Sequence, residues 1–369
     1  MQEADEQARL GVVLSHHIFE LQAVGGISRY IVELDRALKG IGISSTLRRG
    51  ASRNTSLEHL PRGFADALRA RGYPRAVRRR RAERLERRGC TASDVFHASY
   101  YDAKLPSNCA AAVTVYDMIH ETERLDASER WVVEAKRNWV ARADAVFVIS
   151  DAVRDEVLEI LSPPEEKVFV TPLAVRASDA VVAPDDGRPY LLYVGQRHAR
   201  YKNFIPMVRA LADARILGDL KLTCVGGGPF SNEERRAIDG CGVGPHIVQR
   251  SASDAELAGL YRHATTTVVP SKREGFGLPV LEAMAAGCPV ACSAIPVLRE
   301  VAGDMAEYFD PSQVTDMAAV IFRAVHDPAR RAAMKHGGFV RASSFSWEAT
   351  ARSTAVGYRF AMTRPVSGR

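Results

Sequence analysis

The chain has 369 residues, 46% of them hydrophobic and 25% charged, which is the balance of a globular protein of about two ordinary domains. The formal net charge is +6, and no run of roughly 18 apolar residues occurs, so no segment reads as a membrane-spanning helix. Six cysteines, at positions 90, 109, 224, 241, 288 and 292, lack the CxxC spacing of a zinc or redox motif, and the expectation is a reduced, metal-free protein with Cys288 and Cys292 as small buried residues.

Residues 1–9 are polar and acidic, with no hydrophobic region of a signal peptide, which points to a cytoplasmic location. Residues 11–14 read as the first strand, followed by a loop over 15–26 that holds His16 and His17, and then by a helix over 27–39. The turn into that helix is Gly25-Gly26-Ile27-Ser28-Arg29-Tyr30. Paired glycines let backbone approach a ligand, and a helix N-terminus favours negative charge. This is not the dinucleotide fingerprint, and Tyr30 reads as packing rather than chemistry.

Residues 69–88, with Arg69 and Arg88 at the ends, hold ten arginines against Glu83 and Glu86. Such a run makes a solvated helix face, or else a patch that attracts an anionic membrane surface or a phosphorylated acceptor. No aromatic platform accompanies it, which argues against nucleic acid.

Further strands are expected over 95–97, 112–116, 145–149 and 167–171. The second of these ends in Tyr116-Asp117, with His120 three positions beyond as a candidate for contact with an acceptor or donor sugar. The periodicity lapses over the proline-containing stretch 174–189, a linker by composition. Strands over 190–194, 220–225, 247–248, 265–269 and 289–292 follow, and alternation with amphipathic stretches predicts an α/β fold with parallel sheets.

The second half carries the chemistry. After its first strand, Gly195 to Phe204 places Arg197 and Lys202 on one loop, a planar fork and a point charge that can converge on one pyrophosphate. Gly226-Gly227-Gly228 ends the next strand, and Arg250 ends the one after. Then comes Ser271-Lys272-Arg273-Glu274-Gly275-Phe276-Gly277-Leu278-Pro279, with Glu282 eight residues past Glu274. It reads as strand, glycine loop and a helix over 279–286 that Gly287 terminates. Backbone N–H groups at such a helix start suit an anion, and two acceptor-only carboxylates suit hydroxyls; a sugar nucleotide has both. Finally, residues from 345 open a last helix that runs to about 361, with Ser346 as its cap.

The Glu274 to Glu282 stretch, with the motifs at 25–30 and 195–204, resembles the retaining GT-B glycosyltransferases of family 4. The resemblance implies a GT-B fold of two Rossmann-like domains whose parallel sheets face a central cleft. An acceptor domain over 1–180 would be completed by the helix at about 346–369, and a donor domain would span 187–345. It implies Glu274 on the donor sugar's hydroxyls and Glu282 on the ribose. Arg197 and Lys202 would hold the departing diphosphate, with Asp117 and His120 near the reacting sugar. Gly25, Gly26, Arg250, Ser271, Gly275, Phe276, Gly277 and Leu278 would line the donor. Relatives often carry a His-Asp pair where this chain has Tyr116-Asp117.

The implied reaction is hexose transfer with retention, from a GDP- or UDP-sugar, without cofactor. The absence of an Asp-x-Asp motif fits catalysis without metal. Mannose from GDP-mannose is favoured, with a glycan, lipid-linked or small-molecule acceptor in bacterial surface-polysaccharide assembly. The alternatives are an enzyme of antibiotic or other secondary-metabolite biosynthesis, a sugar-nucleotide epimerase or phosphorylase of the same fold, or a nonenzymatic protein of the membrane surface.

Overall fold

The computed structural model describes residues 10–22, 25–47, 54, 57, 74, 77, 80, 81, 84, 90–123, 129–176, 187–218 and 220–364. The chain divides into two compact units, Met1–Leu173 with Ser346–Arg369, and Ala174–Phe345.

The first unit runs β1 (Gly11–Leu14), α1 (His17–Leu21), α2 (Gly26–Gly40), β2 (Ser44–Leu47), β3 (Asp94–Ala98), β4 (Ala110–Val115), α3 (Ile119–Thr122), α4 (Arg130–Arg142), β5 (Ala145–Val148), α5 (Asp151–Leu161) and β6 (Val168–Val170). Its strands form one parallel sheet in the order β2-β1-β3-β4-β5-β6. The central strands β4 (AAAVTV) and β5 (AVFV) are buried along their whole length, because helices cover both faces of a parallel sheet. The order reverses between β1 and β3, and the loops that leave those two strands diverge there.

The second unit runs β7 (Tyr190–Val194), α6 (Phe204–Asp213), β8 (Lys221–Val225), α7 (Asn232–Gly240), β9 (Ile247–Arg250), α8 (Asp254–His263), β10 (Thr266–Val269), α9 (Leu278–Ala285), β11 (Val290–Ser293), α10 (Pro296–Ala302), β12 (Glu307–Phe309), α11 (Val314–His326) and α12 (Pro328–Ser343). The parallel order is β12-β11-β10-β7-β8-β9, a doubly wound sheet whose switch point falls between β10 and β7. Leu191, Met207, Leu211, Leu222, Val268 and Ile321 are at the centre of its core. Cys288 and Cys292 are buried, as small apolar residues would be.

The last helix, α13 (Trp347–Met362), belongs to the first unit. The Ser346 hydroxyl accepts from Ala349 N–H and caps its start. Gly357 lets it lie close to β5 and β6: a Cβ there would come within 2.4 Å of Phe147 Cε1. One residue on, the Tyr358 hydroxyl meets His97 Nδ1 at 2.6 Å. Two short strands, β2 and β12, were not anticipated. Both are edge strands of three or four residues, too short for an alternation pattern to register.

Candidate active site

In the second unit, β7, β8, β9 and β10 end level with one another. Val194 is in register with Val225 and Val225 with Arg250, while Thr267 pairs with Leu192. The loops that leave these strands therefore start along one edge of the sheet, around the switch point.

Lys202 and Glu274 meet there. Lys202 comes from the loop after β7 and Glu274 from the loop after β10, and Lys202 Nζ donates to Glu274 Oε1 at 2.7 Å. The two side chains are 18% and 12% exposed, so the pair keeps a face to solvent while most of its surface is covered. A backbone bond from Lys272 N–H to the Tyr201 carbonyl, at 2.7 Å, ties the same two loops together. Seventy-two residues separate the partners in sequence, and only the neighbouring positions of β7 and β10 bring them together.

Arg197, expected to converge with Lys202 on one pyrophosphate, is turned inward in this structure. Its side chain is 1% exposed, and Nε donates to Glu234 Oε1 at 3.1 Å. Its two terminal nitrogens donate to the carbonyls of Gly226 and Gly228, and the guanidinium lies 4.7 Å over the Phe230 ring. The fork expected at the phosphate braces the glycine turn after β8. That turn runs through three left-handed residues, with φ of 89°, 70° and 67° at Gly226, Gly227 and Gly228. Its carbonyls turn inward onto one cation. Glu234 serves twice, since its other oxygen accepts the Ser231 N–H in the capping box that starts α7. This second partner went unforeseen, although the Ser231-to-Glu234 spacing carries the capping-box signal.

The loop into α9 is shaped by packing. Gly277 has φ of 95° and caps the helix, and a Cβ on it would strike Leu298 Cδ2 at 2.4 Å. Phe276, expected along the donor, has its side chain buried edge-on against Phe345 at 5.8 Å, which anchors the loop. Ser271 is buried at the end of β10, whereas Gly275 and Leu278 are half-buried. Glu282 lies on the second turn of α9 and accepts from the Tyr261 hydroxyl of α8 at 2.9 Å. Arg250 is half-buried at the end of the edge strand β9, 4.0 Å from Glu256 Oε1.

The remaining candidates belong to the first unit. Gly25 is extended, and a Cβ on it would meet the end of the flexible Gln22 side chain, with Oε1 at 2.2 Å. Gly26 opens α2. Asp117 and His120 follow β4, with His120 Nδ1 3.8 Å from Asp117 Oδ1, too long for a hydrogen bond. Burial works against ionisation of Asp117, but His120, Lys136 and the Ile119 N–H outweigh it and hold the carboxyl below the usual carboxylate range. Tyr116 is buried, donates to the Ser99 carbonyl at 3.1 Å and packs edge-on against Tyr30 at 5.7 Å. Burial raises the Tyr30 phenol to about 12, in keeping with a packing role. His16 and His17 are buried and stacked at 4.7 Å, with His16 Nε2 3.2 Å from Glu20 Oε1. Most of the arginine-rich stretch lies outside the described residues; within it Arg80, Arg81 and Arg84 are exposed.

With that geometry in place, comparison with known proteins identifies the family. Residues 24–179 match the model for Glycosyltransferase Family 4, and residues 175–340 match the model for Glycosyl transferases group 1. The chain belongs to the GT-B glycosyltransferases of group 1, family 4. It is 28% identical over 278 residues to the O-antigen chain mannosyltransferase B of Escherichia coli, covering 69% of this chain and 72% of that one. It is also 28% identical over 244 residues to the MMP alpha-(1->4)-mannosyltransferase of Mycolicibacterium hassiacum, covering 64% of this chain and 59% of the relative. Among solved structures it resembles Anabaena HepE in complex with UDP and glucose, with a TM-score of 0.68 and 14% identity over 94% of this chain and 98% of the other.

Proposed function

We propose that this glycosyltransferase moves a hexose, mannose in first place, from a nucleoside-diphosphate sugar to a glycan, lipid-linked or small-molecule acceptor of bacterial surface-polysaccharide assembly. The observation that carries the reading is the Lys202–Glu274 pair at the β7/β10 switch point. It puts one cation and one carboxylate where doubly wound sheets bind their ligands. Mannose is favoured because both curated relatives named above are mannosyltransferases. A nucleotide-sugar donor is supported by the UDP and glucose held by HepE.

On this reading, the bond from the sugar's C1 to the diphosphate breaks through an oxocarbenium-like state, and the leaving oxygens gain negative charge. Lys202 stabilises that charge, together with the N–H groups that open α9. Glu274 accepts hydroxyls of the donor sugar and is itself held in place by Lys202. Glu282, positioned by Tyr261, accepts the ribose hydroxyls. Arg197 acts at one remove, by fixing the glycine turn through its carbonyl contacts. The acceptor hydroxyl attacks from the face the diphosphate leaves and passes its proton to the departing phosphate oxygen, giving retention at C1, and the charge on the leaving group is met by protein cations and dipoles rather than by metal. The protein would work in the cytoplasm. Residues 69–88, a cationic stretch, would hold it to an anionic membrane surface.

The test is a thermal-shift panel of UDP, GDP, ADP, CMP and dTDP without added metal. A ligand held only by the native state raises stability by about 2.7 kcal/mol at a hundred times its Kd. Selective stabilisation by GDP supports the GDP-mannose donor. Selective stabilisation by UDP replaces it with a UDP-hexose. No shift with any of the five overturns the donor reading.

A further inference from the structure

Tyr100 and Trp131 make an aromatic step on the first unit, beside a set of carboxylates. Tyr100 lies two residues past β3 and Trp131 opens α4, with ring centroids 6.2 Å apart at 67°. Trp131 is 42% exposed, a large share for an indole, while Tyr100 is half-buried and rests on the buried Tyr101 at 4.8 Å. The Tyr100 phenol is held above its ordinary range by burial and by the charges of Asp117, Asp102, Glu121 and Glu129. Four carboxylates therefore act on one phenol.

The cation among them is already committed. Lys136 is buried; its Nζ donates to Glu121 Oε2 at 2.7 Å and to the Asp117 carbonyl at 2.8 Å, and lies 5.5 Å over the Tyr101 ring. These bonds use one oxygen of Glu121 only. Its Oε1, on a side chain 2% exposed, has no hydrogen-bond partner among the described residues. A buried carboxylate oxygen without a donor is costly, and a hydroxyl group is the kind of donor that satisfies it. Asp117, in the loop after β4, and His120, on the short helix α3 that follows, are 28% and 25% exposed.

We infer that Tyr100, Trp131, Asp117, His120 and Glu121 form a subsite for a neutral pyranose, the terminal sugar of the acceptor glycan. This rests on the glycosyltransferase reading and deepens it. The exposed Trp131 indole offers the flat apolar surface that the C–H face of a pyranose covers, with the Tyr100 ring standing edge to face beside it. Carboxylates accept from sugar hydroxyls, and they repel a phosphate where the nearby lysine is already paired. The acceptor end that sits here is uncharged; a phosphorylated polyol does not fit.

Calorimetric titration of the full chain with mannotriose, maltotriose, chitotriose and mannose 6-phosphate tests the assignment. At least one neutral trisaccharide binds the parent protein, and Trp131→Ala weakens that binding by about tenfold or more, the loss of one good stacking contact. Trp131→Phe restores most of it, which a folding defect would not allow. Stabilisation by nucleoside diphosphate is the same in all three proteins. Absence of binding by every neutral trisaccharide, tighter binding of mannose 6-phosphate, or undiminished binding by Trp131→Ala overturns the subsite. Failure of nucleotides to stabilise the parent protein strikes the donor reading instead, so the two failures are separable.

Discussion

Arg197 and Lys202 are five residues apart on one loop and have opposite fates. Lys202 keeps partial exposure and pairs with Glu274, whereas Arg197 turns inward onto two glycine carbonyls and Glu234. Removing Arg197 would leave the buried Glu234 carboxylate without its cation and the Gly226 and Gly228 carbonyls without their donor, so Arg197→Ala should cost about 3–5 kcal/mol of stability. Urea unfolding measures this, and a loss under about 1 kcal/mol would show the brace to be dispensable. Glu274→Gln behaves differently. It keeps the shape and an oxygen facing Lys202, so the melting temperature should stay within a few degrees while turnover falls by about 100-fold or more, the scale set by losing one charge-stabilising group. Near-normal turnover in that variant would remove Glu274 from the reaction.

At the scale of elements, α13 is seated by His97 of β3. Its Nδ1 lies 2.6 Å from the Tyr358 hydroxyl and its Nε2 lies 2.8 Å from Thr114 Oγ1. Burial lowers the His97 pKa to about 3. An unfolded histidine titrates near 6.5, so between these values the unfolded chain binds a proton that the folded chain refuses. The contribution is complete above pH 6.5 and is lost as the pH falls, by roughly 2 kcal/mol at pH 5. The pH dependence of unfolding in His97→Gln, compared with the parent between pH 7 and 5, should be flatter by that amount. Parallel curves would mean that His97 takes up its proton in the folded state.

Elements were legible in the sequence wherever a local pattern carried them. The strand before Glu274 and the helix after it fall within a residue of expectation, because an apolar run, a glycine pair and Pro279 mark both boundaries. The burial of Phe276 and the inward turn of Arg197 were not legible. Each depends on a residue far along the chain, Phe345 in one case and Glu234 in the other.

For the whole molecule, the formal charge of +6 coexists with a cluster of ten arginines between positions 69 and 88. No helix among the described residues is long and apolar enough to cross a membrane, and the attachment proposed for residues 69–88 is electrostatic. Glutamine at positions 78–81 removes four charges, worth about 1 kcal/mol each near an anionic surface. That variant should sediment with phosphatidylserine vesicles far less than the parent at low salt. A parent that does not sediment ends the idea.

The sequence by itself determined the α/β class, the parallel strands and the family-4 resemblance. These rest on periodicity and on glycine, proline and charged residues at short spacings, which act locally on the backbone. The tertiary structure alone decided which charges meet. Strand order put the β7 and β10 loops side by side and made a pair of Lys202 and Glu274, while Glu234 and the glycine turn claimed Arg197. Partner choice over seventy-two residues is a property of sheet topology, and no window of sequence contains it.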